Sequence, residues 1–198
     1  MKEFWNQRFS EEEYIYGTEP NEYFKEVIDQ MKPGKLLLPA EGEGRNAIYA
    51  AKLGWEVTAF DQSESGKQKA LNLAKENGVT IDYQIMSISD FEIPENKYDA
   101  IGLIYAHFPS SIRSKFHNQL VHSLNPNGVI ILEAFNPKQL KNNSGGPKDE
   151  SLLYPMTCLE YDFEGLEMEE LKEVTLDLSE GKYHLGKADV VRMKARKK

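Results

Sequence analysis

The chain is expected to fold as an α/β domain of three layers, a Rossmann-like sheet of seven strands, mostly parallel and closed by a C-terminal antiparallel hairpin. Three observations predict this. Short apolar runs alternate with segments of helical period between about residues 35 and 134. A glycine turn, Gly42-Glu43-Gly44, follows the first run, and the second run ends in the carboxylate Asp61, which is the layout of a nucleotide-cofactor site at the carboxyl ends of parallel strands. From Glu169 onward two strand-like runs follow each other with no helix between, so they pair antiparallel.

The elements follow in order. Glu3 to Met31 carries Phe4, Trp5, Phe9, Tyr14, Tyr16, Tyr23 and Phe24 among acids and amides, and residues 1–33 read as a helical lid segment ahead of the sheet core at 34–198. Pro20 reads as the first turn of a helix that Pro33-Gly34 closes. Strands are expected at Lys35 to Pro39, Glu56 to Phe60, Thr80 to Met86, Tyr98 to Tyr105 and Gly128 to Ala134. Helices at Arg45 to Leu53, Ser65 to Asn77 and Ser111 to Leu124 connect them, with Asn125-Pro126-Asn127-Gly128 as a breaker before the fifth strand. The final hairpin joins Glu169 to Asp177 with Gly186 to Lys197. Asn136 to Pro155 is a long irregular stretch, and a loop of that length is functional or mobile.

Composition narrows the function. The 198 residues suffice for one domain with a substantial core, so 1–198 reads as a single domain. A net charge of −8 speaks against a nucleic-acid binder, which needs a basic face to displace counterions from phosphates. No apolar run reaches about 18 residues and no signal-peptide pattern follows Met1, so a cytoplasmic protein without a membrane partner is expected. Cys158 is the single cysteine, which leaves no intrachain disulfide and no thiolate metal cluster; no metal is expected.

Four motifs in sequence carry a family resemblance. They are Gly42-Glu43-Gly44-Arg45-Asn46 after the first strand, Asp61-Gln62-Ser63 after the second, Ser87-Ile88-Ser89-Asp90-Phe91 after the third, and Tyr98-Asp99 opening the fourth. With them the chain resembles the class I S-adenosylmethionine-dependent methyltransferases over nearly its whole length. The opening Phe4-Trp5, with Tyr16-Gly17, Pro20-Asn21 and Gly-Arg-Asn, is similar to the small-molecule enzymes of tellurite-resistance and thiopurine type. The resemblance implies S-adenosyl-L-methionine as cofactor, with Ala40, Glu41, Gly42 and Gly44 beneath its methionine portion. It further implies Asp61 on the ribose hydroxyls, Gln62 beside the adenosine, Ser87 and Ile88 at the adenine, and Leu103 and Ile104 lining the pocket. Asp61 also reads as a helix cap and Ser87 as a turn residue. Where the family commonly has an acid and a glycine, this chain has Leu38 and Ala40, and Glu41 or Glu43 is placed to compensate at the cofactor's ammonium.

The implied reaction is methyl transfer to a small-molecule acceptor, a thiol, chalcogen oxyanion or xenobiotic, by a monomer or homodimer. His107, directly after the fourth strand, is the candidate base, with a structural histidine as the alternative. Tyr16, Arg45, Tyr105 and Tyr154 are candidate acceptor contacts. Two other functions compete. A catalytically silent S-adenosylmethionine-binding module is consistent with Leu38 and Ala40. An NAD-dependent oxidoreductase is disfavoured, since Gly42-Glu43-Gly44 lacks the third glycine, Ala47 following Asn46 instead.

Overall fold

The computed structural model describes residues 2–92 and 94–198. In chain order the elements are α1 (Lys2–Phe9), α2 (Glu22–Ile28), β1 (Lys35–Pro39), α3 (Arg45–Lys52), β2 (Glu56–Asp61), α4 (Glu64–Glu76) and β3 (Asp82–Ile85). Then come β4 (Tyr98–Ile104), α5 (Ser110–Ser123), β5 (Leu124–Phe135), α6 (Met156–Asp162), β6 (Glu167–Ser179) and β7 (Leu185–Arg196), with short 3-10 turns at Pro137–Lys141 and Glu150–Leu152. The strands form one sheet of seven in the order β3-β2-β1-β4-β5-β7-β6. Pairing is parallel from β3 to β5, and β7 runs antiparallel to both β5 and β6. The expected architecture is the one observed.

Burial explains why β1 is apolar along its length. Leu36, Leu37 and Leu38 are all buried; Leu36 and Leu38 pack into one apolar layer and Leu37 into the other, as a central parallel strand covered on both faces requires. β1 pairs with β2 from Lys35↔Glu56 to Pro39↔Phe60. The register therefore brings the glycine turn level with the end of β2, where Asp61 stands. Chain order reverses between β1 and β4, so a crevice opens at the carboxyl ends of these strands.

Three expectations change in detail. Pro20 lies outside its helix: Asn21 is the cap, its Oδ1 accepting the Phe24 N–H at 2.9 Å, and α2 starts at Glu22. Asn125 to Gly128 does not separate α5 from the fifth strand, since β5 already starts at Leu124 and absorbs the extra residues as an irregularity in its pairing with β4, with Asn127 at φ 65°. The irregular stretch from Asn136 holds two 3-10 turns, and α6 follows it, a short helix whose Asp162 is buried against Arg113 and His117 of α5 at 2.7 and 2.9 Å.

The N-terminal segment lies over the sheet's carboxyl end. Asn6 Oδ1 accepts hydrogen bonds from Ser63 Oγ and the Glu64 N–H, both at 2.8 Å, so α1 caps α4 from outside. Phe9 is buried against the glycine turn: a Cβ on Gly42 would lie 2.9 Å from its ring, and one on Gly66 3.1 Å. No helix among the described residues is long and apolar enough to cross a membrane.

Candidate active site

A cavity of about 650 Å³ occupies the crevice, roofed by Phe4, Trp5 and Phe9 of α1. Its size is in the range of small-molecule sites. One end is built from the turns after β1 and β2. Ala40 (φ 53°), Gly42 (61°) and Gly44 (88°) alternate in left-handed conformations, which turns the chain sharply. Asp61 closes this end. Its Oδ1 accepts the Ser63 N–H at 2.9 Å and its Oδ2 the Gly42 N–H at 3.2 Å, so the carboxylate ties the two turns together and keeps lone pairs for a ligand. Burial raises its pKa, against the Ser63, Gly42 and Gln62 amides. Glu41 is also on the cavity wall, with Oε1 accepting the Ala47 N–H at 2.8 Å. Burial pushes its carboxyl up to about 7.

The other end is aromatic. Tyr105, at φ 51° immediately after β4, lies 4.7 Å from Phe135 and 4.5 Å from His184 between ring centroids, and Tyr16 lies 4.4 Å from His184. Beneath the rings runs a buried polar network. Glu133 accepts from Asn21 Nδ2 at 2.6 Å, from the Tyr105 hydroxyl at 2.8 Å and from Arg192 Nε at 2.5 Å. Glu180 accepts from Asn21 at 3.1 Å, from Arg45 Nη2 at 3.0 Å and from His184 Nδ1 at 3.2 Å. Burial alone would raise the Glu180 carboxyl, yet the contacts from His184 and Arg45 hold it at about 2. A carboxylate only accepts, so His184 carries its proton on Nδ1 and keeps a lone pair on Nε2. Burial lowers the His184 pKa, which keeps the ring neutral near pH 7 despite Glu180.

Residues 39–128 match the model of a family described as methyltransferase domain. The chain thus matches a methyltransferase-domain family over just under half of its length. It is similar to a ubiquinone biosynthesis O-methyltransferase from Rickettsia canadensis, 28% identical over 165 residues, which are 73% of this chain and 67% of that protein. A tRNA (uracil(54)-C(5))-methyltransferase from Pyrococcus abyssi is 27% identical over 150 residues, 69% of this chain and 35% of that protein. The solved structure of TehB from Haemophilus influenzae shares the fold with a TM-score of 0.75 at 19% identity, over all of this chain and 67% of that one. The chain thus spans two thirds of the first relative and about a third of the second. Their names point to different acceptors, so likeness leaves the acceptor open.

The cofactor of this methyltransferase is S-adenosylmethionine, and the donor set fits it. The cofactor carries two cationic centres and a ribose diol, and the end of the cavity at β1 and β2 presents the carboxylates of Glu41 and Asp61. The structure gathers Ala40, Glu41, Gly42, Asp61, Gln62, Ser87, Ile88 and Ile104 on the wall of this one cavity, together with Tyr16, Arg45, Tyr105 and His107. Three expected residues lie off it. Gly44 caps α3, and a Cβ there would meet Ala70 at 2.6 Å, so its bareness serves helix packing. Leu103 is buried in the core. Tyr154 is buried too, its hydroxyl donating to the Ala106 carbonyl at 3.0 Å and accepting the Phe108 N–H at 2.7 Å, which splices the chain after β4.

His107 reaches the wall but is bound on both nitrogens, Nδ1 to the Leu152 carbonyl at 2.7 Å and Nε2 to the Phe135 N–H at 3.3 Å. Nδ1 must donate and Nε2 must accept, so no lone pair is left for a substrate, and burial pushes the pKa down to about 4. Arg45 sits on the wall with its guanidinium spent on Glu180 and the Tyr16 carbonyl. Sequence reasoning missed Arg8, Phe135, Glu180 and His184, while the strap of residues 143–149 falls in the Asn136 to Pro155 loop read as functional or mobile. The available signal was Glu180 and His184 four apart in the hairpin turn, facing Gly145-Gly146. Cβ atoms on those glycines would strike the Tyr183 carbonyl at 2.2 Å and the Phe135 ring at 2.7 Å.

Proposed function

We propose that this domain methylates a small-molecule acceptor, in the manner of the small-molecule enzymes of tellurite-resistance and thiopurine type, and that the Glu180–His184 pair takes the acceptor's proton. The observation that carries this reading is the roofed cavity whose aromatic end holds a buried histidine oriented by a part-buried carboxylate. A polymer substrate needs an open groove. Here α1 and the strap at residues 143–149 cover the site, which supports a small acceptor.

S-adenosylmethionine supplies an electrophilic methyl on a sulfonium, displaced in line with the bonding electron pair returning to sulfur. In our reading Asp61 holds the ribose hydroxyls, Glu41 pairs with the α-ammonium, and Gln62, Ser87 and Ile88 border the adenine. Glu41 takes up the role left open by Leu38. Tyr16, Tyr105 and Phe135 exclude water and align the acceptor, where most of the rate gain of an in-line displacement arises. His184 Nε2 accepts the proton from the attacking thiol, hydroxyl or amine while Nδ1–H remains on Glu180. His107 is read as a positioning residue that fixes the turn after β4. We read the whole chain as one domain, with residues 1–33 as its lid.

Turnover assays with labelled S-adenosylmethionine on a panel of small thiols, phenols and amines test the proposal. Methylation of at least one class, lost in His184→Ala with S-adenosylhomocysteine binding retained, is the expected result. Cofactor binding with no turnover on any class would instead support the silent module.

A further inference from the structure

The aromatic end of the cavity holds a cation whose protein partners leave most of its hydrogen-bonding edge unused. The Arg8 guanidinium carbon lies 4.5 Å from the ring centroids of both Phe4 and Tyr183 and 5.4 Å from that of Trp5. Its Nη1 donates to the Tyr16 hydroxyl at 3.2 Å. Among the described residues no carboxylate pairs with it, Nε and Nη2 have no protein acceptor and are not fully buried, and Arg8 stands on the cavity wall.

Other cations around the site are engaged. Arg45 pairs with Glu180 at 3.0 Å, Lys69 with Glu43 at 2.7 Å and Lys182 with Glu11 at 2.8 Å, while Lys148, which has no carboxylate partner among the described residues, is exposed on its loop and donates to the Asn142 carbonyl at 2.5 Å. Charge is thus separated along the cavity. Carboxylates stand at the end that suits a cationic cofactor, and an unpaired guanidinium stands at the end that is left for the acceptor.

We propose that Arg8 recognises a carboxylate on the methyl acceptor, so that the substrates are small, apolar-bodied molecules bearing a carboxylate apart from the atom that is methylated. The proposal rests on the reading of this cavity as an acceptor site. A guanidinium presents its N–H groups as a rigid planar fork that matches a carboxylate with two parallel hydrogen bonds. Packing against three rings fixes the fork before the ligand arrives, so less side-chain freedom is lost on binding. Tyr16 links recognition to reaction, because its hydroxyl meets Arg8 while its ring lies 4.4 Å from His184. A carboxylate held at Arg8 lets the rest of the molecule run along Tyr16 toward His184, between Tyr105 and Phe135. A phosphate dianion suits the site less well, since no second free guanidinium faces it.

Calorimetry on the full chain saturated with S-adenosylhomocysteine tests this with two probes of nearly equal shape, 4-mercaptobenzoate and 4-methylbenzenethiol. The carboxylate probe is expected to bind tighter by about ten- to a hundredfold. Arg8→Gln should abolish the preference while leaving S-adenosylhomocysteine affinity within about twofold. Tyr183→Leu, which removes a packing ring but keeps the charge, should preserve the preference even if both probes weaken. Equal affinity for the probes, a preference that survives Arg8→Gln, or binding of neither probe overturns the proposal. Failure of S-adenosylhomocysteine itself to bind overturns the acceptor-site reading, and this proposal with it.

Discussion

His184 Nδ1 meets Glu180 Oε2 at 3.2 Å across one turn of the terminal hairpin, and the pair is completed by Arg45, which reaches the same oxygen from α3 at 3.0 Å. The carboxylate fixes the imidazole tautomer, and the cation keeps the carboxylate ionised. His184→Ala should lower kcat by about 10²- to 10⁴-fold for acceptors that must lose a proton, measured by steady-state turnover. An acceptor supplied as its anion should lose far less. The pH profile follows from the same pair. A base with its pKa held below the ordinary histidine value is neutral at pH 7, so kcat/KM should be flat there and fall only on acidification past that lowered value. Glu180→Gln should reduce kcat at every pH by releasing the tautomer.

Glu41 gives cofactor binding a pH dependence of the opposite kind. Its carboxyl titrates at about 7 in the folded protein, above its usual value of 4.5, because it is buried. Pairing with the cofactor's ammonium needs the ionised form, so affinity should rise as pH rises through 7, with release of a proton on binding. Without cofactor the folded state holds a proton that the unfolded state has lost between about pH 4.5 and 7, so this group's contribution to stability declines over that window. Glu41→Gln should flatten both trends and stabilise the free protein at pH 8 by about 1–3 kcal/mol. Thermal unfolding and calorimetry in two buffers of different ionisation enthalpy measure the two effects.

The contact of α1 with the glycine turn is testable by shape alone. Phe9 is buried, stacks on Trp5 at 5.3 Å and faces Gly42. Gly42→Ala adds a Cβ 2.9 Å from that ring at a backbone φ of 61°, so it is strained twice. It should cost about 1–3 kcal/mol of stability and weaken S-adenosylhomocysteine binding. Phe9→Ala should loosen α1 without straining the turn, seen as faster amide exchange at Lys2–Phe9 while β1 stays protected. Equal exchange in wild type and variant would show that Phe9 does not hold the lid.

Much of the sheet could be read directly from the residues, for a physical reason. Strands buried on both faces, such as Leu36 to Leu38, are continuous apolar runs, and their breakers sit at the ends, so β1 was expected at the bounds it has. The cavity wall beyond β1 and β2 was legible in part, because its residues follow strand ends in sequence, although Gly44 and Leu103 lie off it. The aromatic end was not. His184 and Glu180 reach the site only because β7 inserts between β5 and β6, which carries the hairpin turn back over Tyr105 and Phe135. His107 was attractive by position after β4, but position does not reveal that the Phe135 amide and the Leu152 carbonyl use both nitrogens. Asn21 carries the same lesson: after Pro20 it reads as part of a helix's first turn, yet its one side chain caps α2 and bridges Glu133 to Glu180.

In the proposed function the crevice beyond β1 and β2 holds an adenosyl cofactor on Asp61. Isothermal titration of S-adenosylhomocysteine into the wild type, Asp61→Asn and Asp61→Ala tests it most directly. Asparagine keeps one acceptor for the turn amides and loses the charge, while alanine loses both. Binding one-to-one in the wild type, weakened about tenfold by asparagine and about a hundredfold or more by alanine, is the result expected. No heat of binding in the wild type, or equal affinity in all three proteins that remain folded by circular dichroism, would contradict the account.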